Sequence, residues 1–247
     1  MAVPLRFWIP KLLWLTAVAL FAVTALLPVS NQITRTGSLV VLALVWGGLI
    51  ALCWTRPGAR WTLLSVTVFS ALSLAAPARP LPPNETLRDD YVAGLQRYAG
   101  VAYYWGGESP IGIDCSGLVR RGLVDALFWR GIRSLDAGLV RRALALWWYD
   151  TTAYRLGEAI DGVTAHVIDA AAINALDHSA LHPGDLAVTR NGVHVLAYLG
   201  ESRWIQADPN VGRVIAVSAT AEDCAWLKMP MKIVRWDVLA DRRAPAG

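Results

Sequence analysis

The chain is expected to fold as an α+β domain, helices packed on an antiparallel sheet, preceded by about three transmembrane helices. Three observations predict this. Long apolar runs fill residues 1–78, helical patterning dominates from residue 87 to about 177, and residues 186–236 alternate Val, Ile and aromatic side chains. The alternating segments are separated by the turn pairs Asn191-Gly192, Glu201-Ser202 and Pro209-Asn210, the pattern of a strand meander. Helices first and antiparallel strands afterwards define the α+β class.

The apolar cores of the first region are Leu12 to Val29, Ser38 to Trp54 and Trp61 to Ala76. Each approaches the roughly 17 to 25 residues needed to cross the hydrocarbon core. The first could serve instead as a signal peptide flanked by Arg6 and Lys11, and the other two would still hold the chain in a membrane. Arg6 and Lys11 on the N-terminus, with Arg56 and Arg60 in the second loop, outweigh Arg35 and Arg79 on the other side. That bias predicts a cytoplasmic N-terminus, and three crossings then place the remainder of the chain outside the inner membrane, facing the periplasm.

Residues 79–85 read as a stiff linker, because Pro80, Pro82 and Pro83 follow Pro77 closely. Thr86, with Asp89 three residues later, resembles a helix start, so a soluble domain is expected over 86–247, long enough for one sizeable core. Within it the expected elements are helices over 87–99 and 115–130, and helical material over 135–160 and again near 168–177. Strands are expected near 186–190, 193–199, 203–207, 213–217 and 232–236.

Asp114-Cys115-Ser116-Gly117 places a cysteine at a turn-to-helix junction. The first N–H groups of a helix have no intrahelical partner, so they favour negative charge and are expected to lower a thiol pKa. The competing reading of Cys115 is a buried, inert core cysteine. Of the four histidines, His166 and His178 lie in a segment without strand pattern, and His182 precedes the Pro183-Gly184 turn signal. His194 opens an apolar run behind Asn191-Gly192, where it is either a core histidine or a base.

The run Val101-Ala102-Tyr103-Tyr104-Trp105-Gly106-Gly107, followed by Gly112-Ile113-Asp114-Cys115-Ser116-Gly117-Leu118-Val119, resembles the nucleophile signature of the NlpC/P60 cysteine peptidases. A second block, Leu181-His182-Pro183-Gly184-Asp185-Leu186 with Gly192-Val193-His194-Val195 and Trp204-Ile205-Gln206-Ala207, is similar to that family's histidine strand and the strand after it. The resemblance implies a papain-like layout and a peptidase acting on bacterial cell-wall peptides. It implies Cys115 as nucleophile, His194 as base and Gln206 as the group orienting the imidazole. Tyr103, Asp114 and Ser116 match positions that hold the substrate's free amine and peptide stem.

Gln206 departs from the pattern, which usually has histidine there. A two-residue turn at Glu201-Ser202 would also pair Gln206 with Ala197, on the face opposite His194, so a bulge or longer loop must correct the register. Asp208 is the reserve orienting group. For Asp114 a helix N-cap is an equally good reading and compatible with substrate contact.

The net charge of +4 suits anionic envelope polymers or lipid, and no basic cluster interleaved with aromatics points to nucleic acid. The three cysteines, Cys53, Cys115 and Cys224, make no disulfide framework and no metal-ligand spacing, so no cofactor is expected. Cys224 is expected to be buried away from the site. The 131–180 segment exceeds the family's usual length and contains Trp147-Trp148-Tyr149, rings expected in the core, along a substrate groove or at the membrane surface. The leading reading is a membrane-anchored peptidoglycan amide hydrolase working through a Cys115 acyl-enzyme. The rivals are a thioesterase, acyltransferase or protein amidase of the same fold, and a catalytically silent membrane scaffold.

Overall fold

The computed structural model describes residues 5–82 and 84–240, so Pro83 of the expected linker and residues 241–247 of the expected domain lie outside the described residues. Helices α1 (Leu5–Ala25), α2 (Gln32–Leu52) and α3 (Pro57–Ala75) are long and apolar enough to cross a membrane. Helices α1 and α2 form a hairpin in which the Trp14 indole N–H donates to the Val45 carbonyl at 2.9 Å. Asn31 starts α2 with a capping box, its side chain accepting from the Thr34 N–H while Thr34 accepts from the Asn31 N–H.

The remainder has helices α4 (Asn84–Gln96), α5 (Cys115–Ser134), α6 (Ala137–Trp148) and α7 (Ala153–Gly157). A two-residue hairpin, β1 (Glu108–Ser109) and β2 (Gly112–Ile113), lies between α4 and α5. The strands that follow are β3 (Thr164–Ala170), β4 (Leu186–Thr189), β5 (Val195–Gly200), β6 (Arg203–Asp208), β7 (Arg213–Ser218) and β8 (Met231–Trp236). They form one antiparallel sheet in the order β3-β8-β4-β5-β6-β7.

Alternation along the strands sends side chains to two cores. Leu186, Val188, Val195, Ala197 and Ile205 pack with Leu118, Val119 and Leu123 of α5. On the other face Ala187, Leu196, Trp204, Met231 and Ile233 pack with Leu227. Helix α5 therefore lies against the sheet, and its first residue, Cys115, faces the start of β5. Where helix was expected near 168–177, the chain instead forms edge strand β3 and two 3₁₀ turns, Ile173–Ala175 and His178–Ala180. A register shift between His166 and Ile168 breaks the period-2 pattern there, which hid the strand among alanines of high helix propensity.

The proline-rich stretch does not project the domain away from the apolar helices. Arg141 of α6 donates to the carbonyls of Leu74 and Ala76 at the end of α3, and Arg79 donates to the Ser134 carbonyl. At the other end of α6, Arg35 of α2 donates to the Trp148 carbonyl at 3.3 Å. Trp147 is partly buried against the main core and Trp148 is half-buried, so neither ring is sealed inside the domain.

Candidate active site

Asp114 builds the turn into α5. One carboxylate oxygen accepts from the Gly117 N–H at 2.6 Å and from the Ser116 hydroxyl at 3.0 Å, while the other accepts from the Gly106 N–H at 2.9 Å. It is thus the N-cap of α5, and it also ties the preceding glycine loop to the helix. Gly117 is required by close approach, because a Cβ there would lie 2.1 Å from the Gly107 carbonyl oxygen. Gly117's N–H is taken by the cap, which leaves those of Cys115 and Ser116 directed at the sulfur.

Cys115 is buried and its sulfur also receives the N–H of Val195, the residue after His194. Sequence position alone suggests a depressed thiol pKa, and the environment reverses this. Burial pushes the Cys115 thiol up to about 12 and the Asp114 carboxylate pushes the same way, against the lowering by the N–H groups of Val195, Ser116 and Cys115 itself. The helix end is real, but desolvation of a thiolate outweighs it.

His194 precedes β5 and is fixed through its backbone, whose N–H donates to the Thr189 hydroxyl at 3.0 Å and whose carbonyl accepts from the Thr189 N–H. Gly192 makes this loop possible: its φ is +71°, and a Cβ would come within 2.7 Å of Tyr154. The imidazole stacks on the Trp226 indole, with centroids 4.0 Å apart and planes 20° apart. Its Nε2 lies 2.7 Å from Gln206 Oε1.

The required register correction is present. Ala197 pairs with Ile205, and the ladder shifts between Tyr198 and Gly200, which brings Gln206 to the face of His194. Gln206 and Asp208 then act in series rather than as alternatives. Gln206 Nε2 donates to Asp208 Oδ2 at 3.1 Å, and a carboxylate only accepts, so the amide oxygen must face the ring. His194 Nε2 therefore carries the hydrogen, and Nδ1 keeps a lone pair. Burial pushes His194 down to about 4, opposed by the Gln206 hydrogen bond and the Asp208 charge. The resting site holds a neutral thiol and a neutral imidazole.

Cys115, Tyr103, Asp114 and Ser116 all line one cleft of about 610 Å³, together with Gly192 and Val193. Tyr103 is raised to about 12 by burial and by the neighbouring Cys115 and Asp114. Another cavity, of about 300 Å³ and mostly apolar, lies beside Leu146 and Trp236 and includes neither Cys115 nor His194 in its walls. Cys224 is buried as expected but not away from the site, since its sulfur accepts from Gln206 Nε2 at 3.3 Å. His166 pairs with Asp169 on the surface, and His178 accepts from the Trp204 indole at 3.2 Å.

Sequence reasoning missed Trp226, the stacked neighbour of His194, which stands in a 3₁₀ turn with no strand or helix period to mark it. It also missed a buried ionic cluster. Glu108 pairs with Arg35 at 2.6 Å and with Arg120 at 3.4 Å, and Arg120 pairs with Asp150 at 2.6 Å. The one available signal was an arginine placed four residues into an otherwise apolar helix.

The family model for the NlpC/P60 family matches residues 100–234, more than half of the chain. Among solved structures, an NlpC/P60 family protein from Bacillus cereus is 17% identical with a TM-score of 0.41, over 64% of this chain and 41% of that one. The peptidoglycan hydrolase RipB from Mycobacterium tuberculosis is 20% identical with a TM-score of 0.37, over 60% of this chain and 65% of its own. NlpC1 from Trichomonas vaginalis is 18% identical with a TM-score of 0.40, over 64% and 46%. The chain thus spans under half the length of the Bacillus and Trichomonas proteins, and no curated protein matches it. With the cysteine and histidine blocks lying inside the matched segment, in order and on the elements just described, the chain belongs to the NlpC/P60 family.

Proposed function

We propose that the protein is a membrane-anchored cysteine hydrolase that cleaves an amide bond in peptidoglycan stem peptides through an acyl-enzyme on Cys115. Family membership supports hydrolysis of cell-wall peptides as the class of reaction. The observation that carries the reading is Cys115 at the start of α5, its turn capped by Asp114, lining the cleft together with Tyr103 and Ser116. His194, Gln206 and Asp208 form a hydrogen-bonded chain whose imidazole stacks on Trp226. The three apolar helices support anchoring, and the excess of cations on the N-terminus and the second loop supports a domain outside the cytoplasm.

In this mechanism the peptide carbonyl enters the cleft against the start of α5. The Cys115 sulfur forms a bond to the carbonyl carbon as its proton passes to His194 Nδ1. Because both groups rest neutral, transfer accompanies attack instead of preceding it. The Cys115 N–H, which the N-cap does not take up, turns from the sulfur to stabilise the oxyanion. His194 then gives the proton to the leaving amine as the C–N bond breaks. Water, deprotonated by the same nitrogen, releases the acid and restores the thiol. Gln206 holds the ring's tautomer, and Asp208 holds Gln206. Asp114 shapes the turn while Tyr103 and Ser116 border the peptide stem.

The test uses the full chain in detergent with purified stem peptides, products being read by mass spectrometry. New termini at a single amide bond, absent with Cys115→Ala, support the reading. Intact peptides alongside an alkylatable Cys115 would move the assignment to another acyl substrate.

A further inference from the structure

The loop between α1 and α2 belongs by sequence to the apolar half of the chain, yet it borders the Cys115 cleft. Val29, Ser30 and Asn31 line that cleft together with Gly192 and Val193. The loop docks as an added strand beside β1: Val29 bridges Gly107 antiparallel, the Ser30 N–H donates to Gly106 at 2.9 Å, and the Glu108 N–H donates to Pro28 at 3.2 Å. Those two bonds flank Val29, so Val29's own N–H and C=O point away from Gly107. Neither makes a backbone hydrogen bond among the described residues. An open strand edge of this kind suits an extended peptide.

A buried charge network holds the loop in place. Arg35, 2% exposed, donates to Glu108 at 2.6 Å and to the Ser30 hydroxyl at 3.0 Å, and Ser30 in turn donates to Glu108 at 3.1 Å. Arg120, which lines the cleft with Glu108 and Asp150, completes the cluster from α5. Two of its atoms, Glu108 Oε1 and Arg120 Nε, are buried without a hydrogen-bond partner among the described residues. The same segment reaches the nucleophile directly. Gly106 donates to Asp114, and Gly107 accepts from the Asp114 N–H at 3.0 Å. Removing Arg35 would leave Glu108 short of one cation and Ser30 free to lift from the strand.

We infer that the α1–α2 loop is a substrate-contacting wall of the cleft, that it binds an extended peptide along the Val29 edge, and that Arg35 is the positioning residue that holds it. This rests on the peptide-hydrolase reading above and deepens it. The apolar hairpin is then part of the substrate site as well as an anchor.

The first test is independent of turnover. A stem peptide carrying a photoreactive diazirine is bound to the full-length Cys115→Ala chain in detergent micelles and irradiated. Cross-links to residues 28–31 as well as to the 103–107 segment are expected. Cross-links confined to residues beyond 84, or none that unlabelled peptide competes away, overturn the inference. Cross-links at 28–31 with a wild-type chain that cuts no peptide would instead defeat the hydrolase reading and leave the wall standing.

The second test separates positioning from folding. Arg35→Met is expected to raise KM about tenfold with kcat within about twofold, and Arg35→Lys to recover part of the loss. Alkylation of Cys115 by iodoacetamide at pH 9, followed by peptide mapping, should be unchanged in both variants. Parallel falls in kcat and alkylation, or an unaltered KM, would refute the positioning role.

Discussion

His194 and Gln206 meet at 2.7 Å because one β-bulge, between Tyr198 and Gly200, shifts the β5–β6 ladder by a residue. Without it, every side chain of β6 would exchange faces and Gln206 would lie across the sheet from the ring. The His194–Gln206 contact thus depends on a hairpin irregularity as much as on the identity of either residue.

Loss of Cys115, the proposed nucleophile, and loss of Gln206, the proposed orienting group, should differ in size. Cys115→Ala is expected to lower kcat by about 10⁴-fold or more, whereas Gln206→Ala leaves a remainder, roughly 100-fold below wild type. Steady-state rates on stem peptides check this, and equal losses would show that Gln206 does more than fix a tautomer.

The thiol should behave as a buried neutral group. With Cys115 pushed to about 12, its alkylation rate should climb about tenfold per pH unit from 7 to 10 with no plateau. A rate that levels off below pH 8 would reveal a stable thiolate and contradict the neutral pair.

Acid should destabilise the domain through His194. Its folded pKa, about 4, lies below the ordinary 6.5, so the unfolded chain binds the proton more readily. The contribution is fully present above pH 6.5 and falls away as pH drops toward 4, reaching about 3 kcal/mol. Urea unfolding of wild type and His194→Phe across that window measures it, and the variant should show the smaller acid loss.

Trp226 keeps one face of the imidazole dry, at a centroid distance of 4.0 Å. Trp226→Ala should let water reach the ring and move the His194 pKa upward by about one unit, read by NMR titration of the ring protons. No movement would mean that burial by the remaining neighbours suffices.

The turn that follows the bulge is strained in a way that substitution can relieve. Glu201 and Ser202 have φ of 52° and 55°, a conformation better suited to Asn and Gly. Glu201→Asn with Ser202→Gly should stabilise the fold by about 1 kcal/mol, seen as a higher thermal midpoint with activity unchanged.

Much of this was legible in the chain. The apolar runs gave three helices, the turn pairs marked β4 to β7, alternation marked β8, and Asp114 preceding Cys115 marked the start of α5. The need for a bulge could be read from the spacing of Glu201-Ser202 and Gln206. Strand β3 could not, because its alanines favour helix and its own irregularity erases the alternation. The thiol's environment was also hidden, since a helix N-terminus is visible in sequence while the depth of its burial depends on what β5 brings over it. Arg35 read as a flanking cation, and only tertiary contact with Glu108 makes it an internal one.

Helix α6 is fastened at its start to the end of α3 through Arg141 and at its finish to α2 through Arg35. A domain strapped down at two points has no tether to swing on. On the proposed membrane-anchored reading, its working radius would be set by its own thickness, so a polymer strand would have to come down to the bilayer to be cut, and strands in the outer layers of a wall would lie beyond its range.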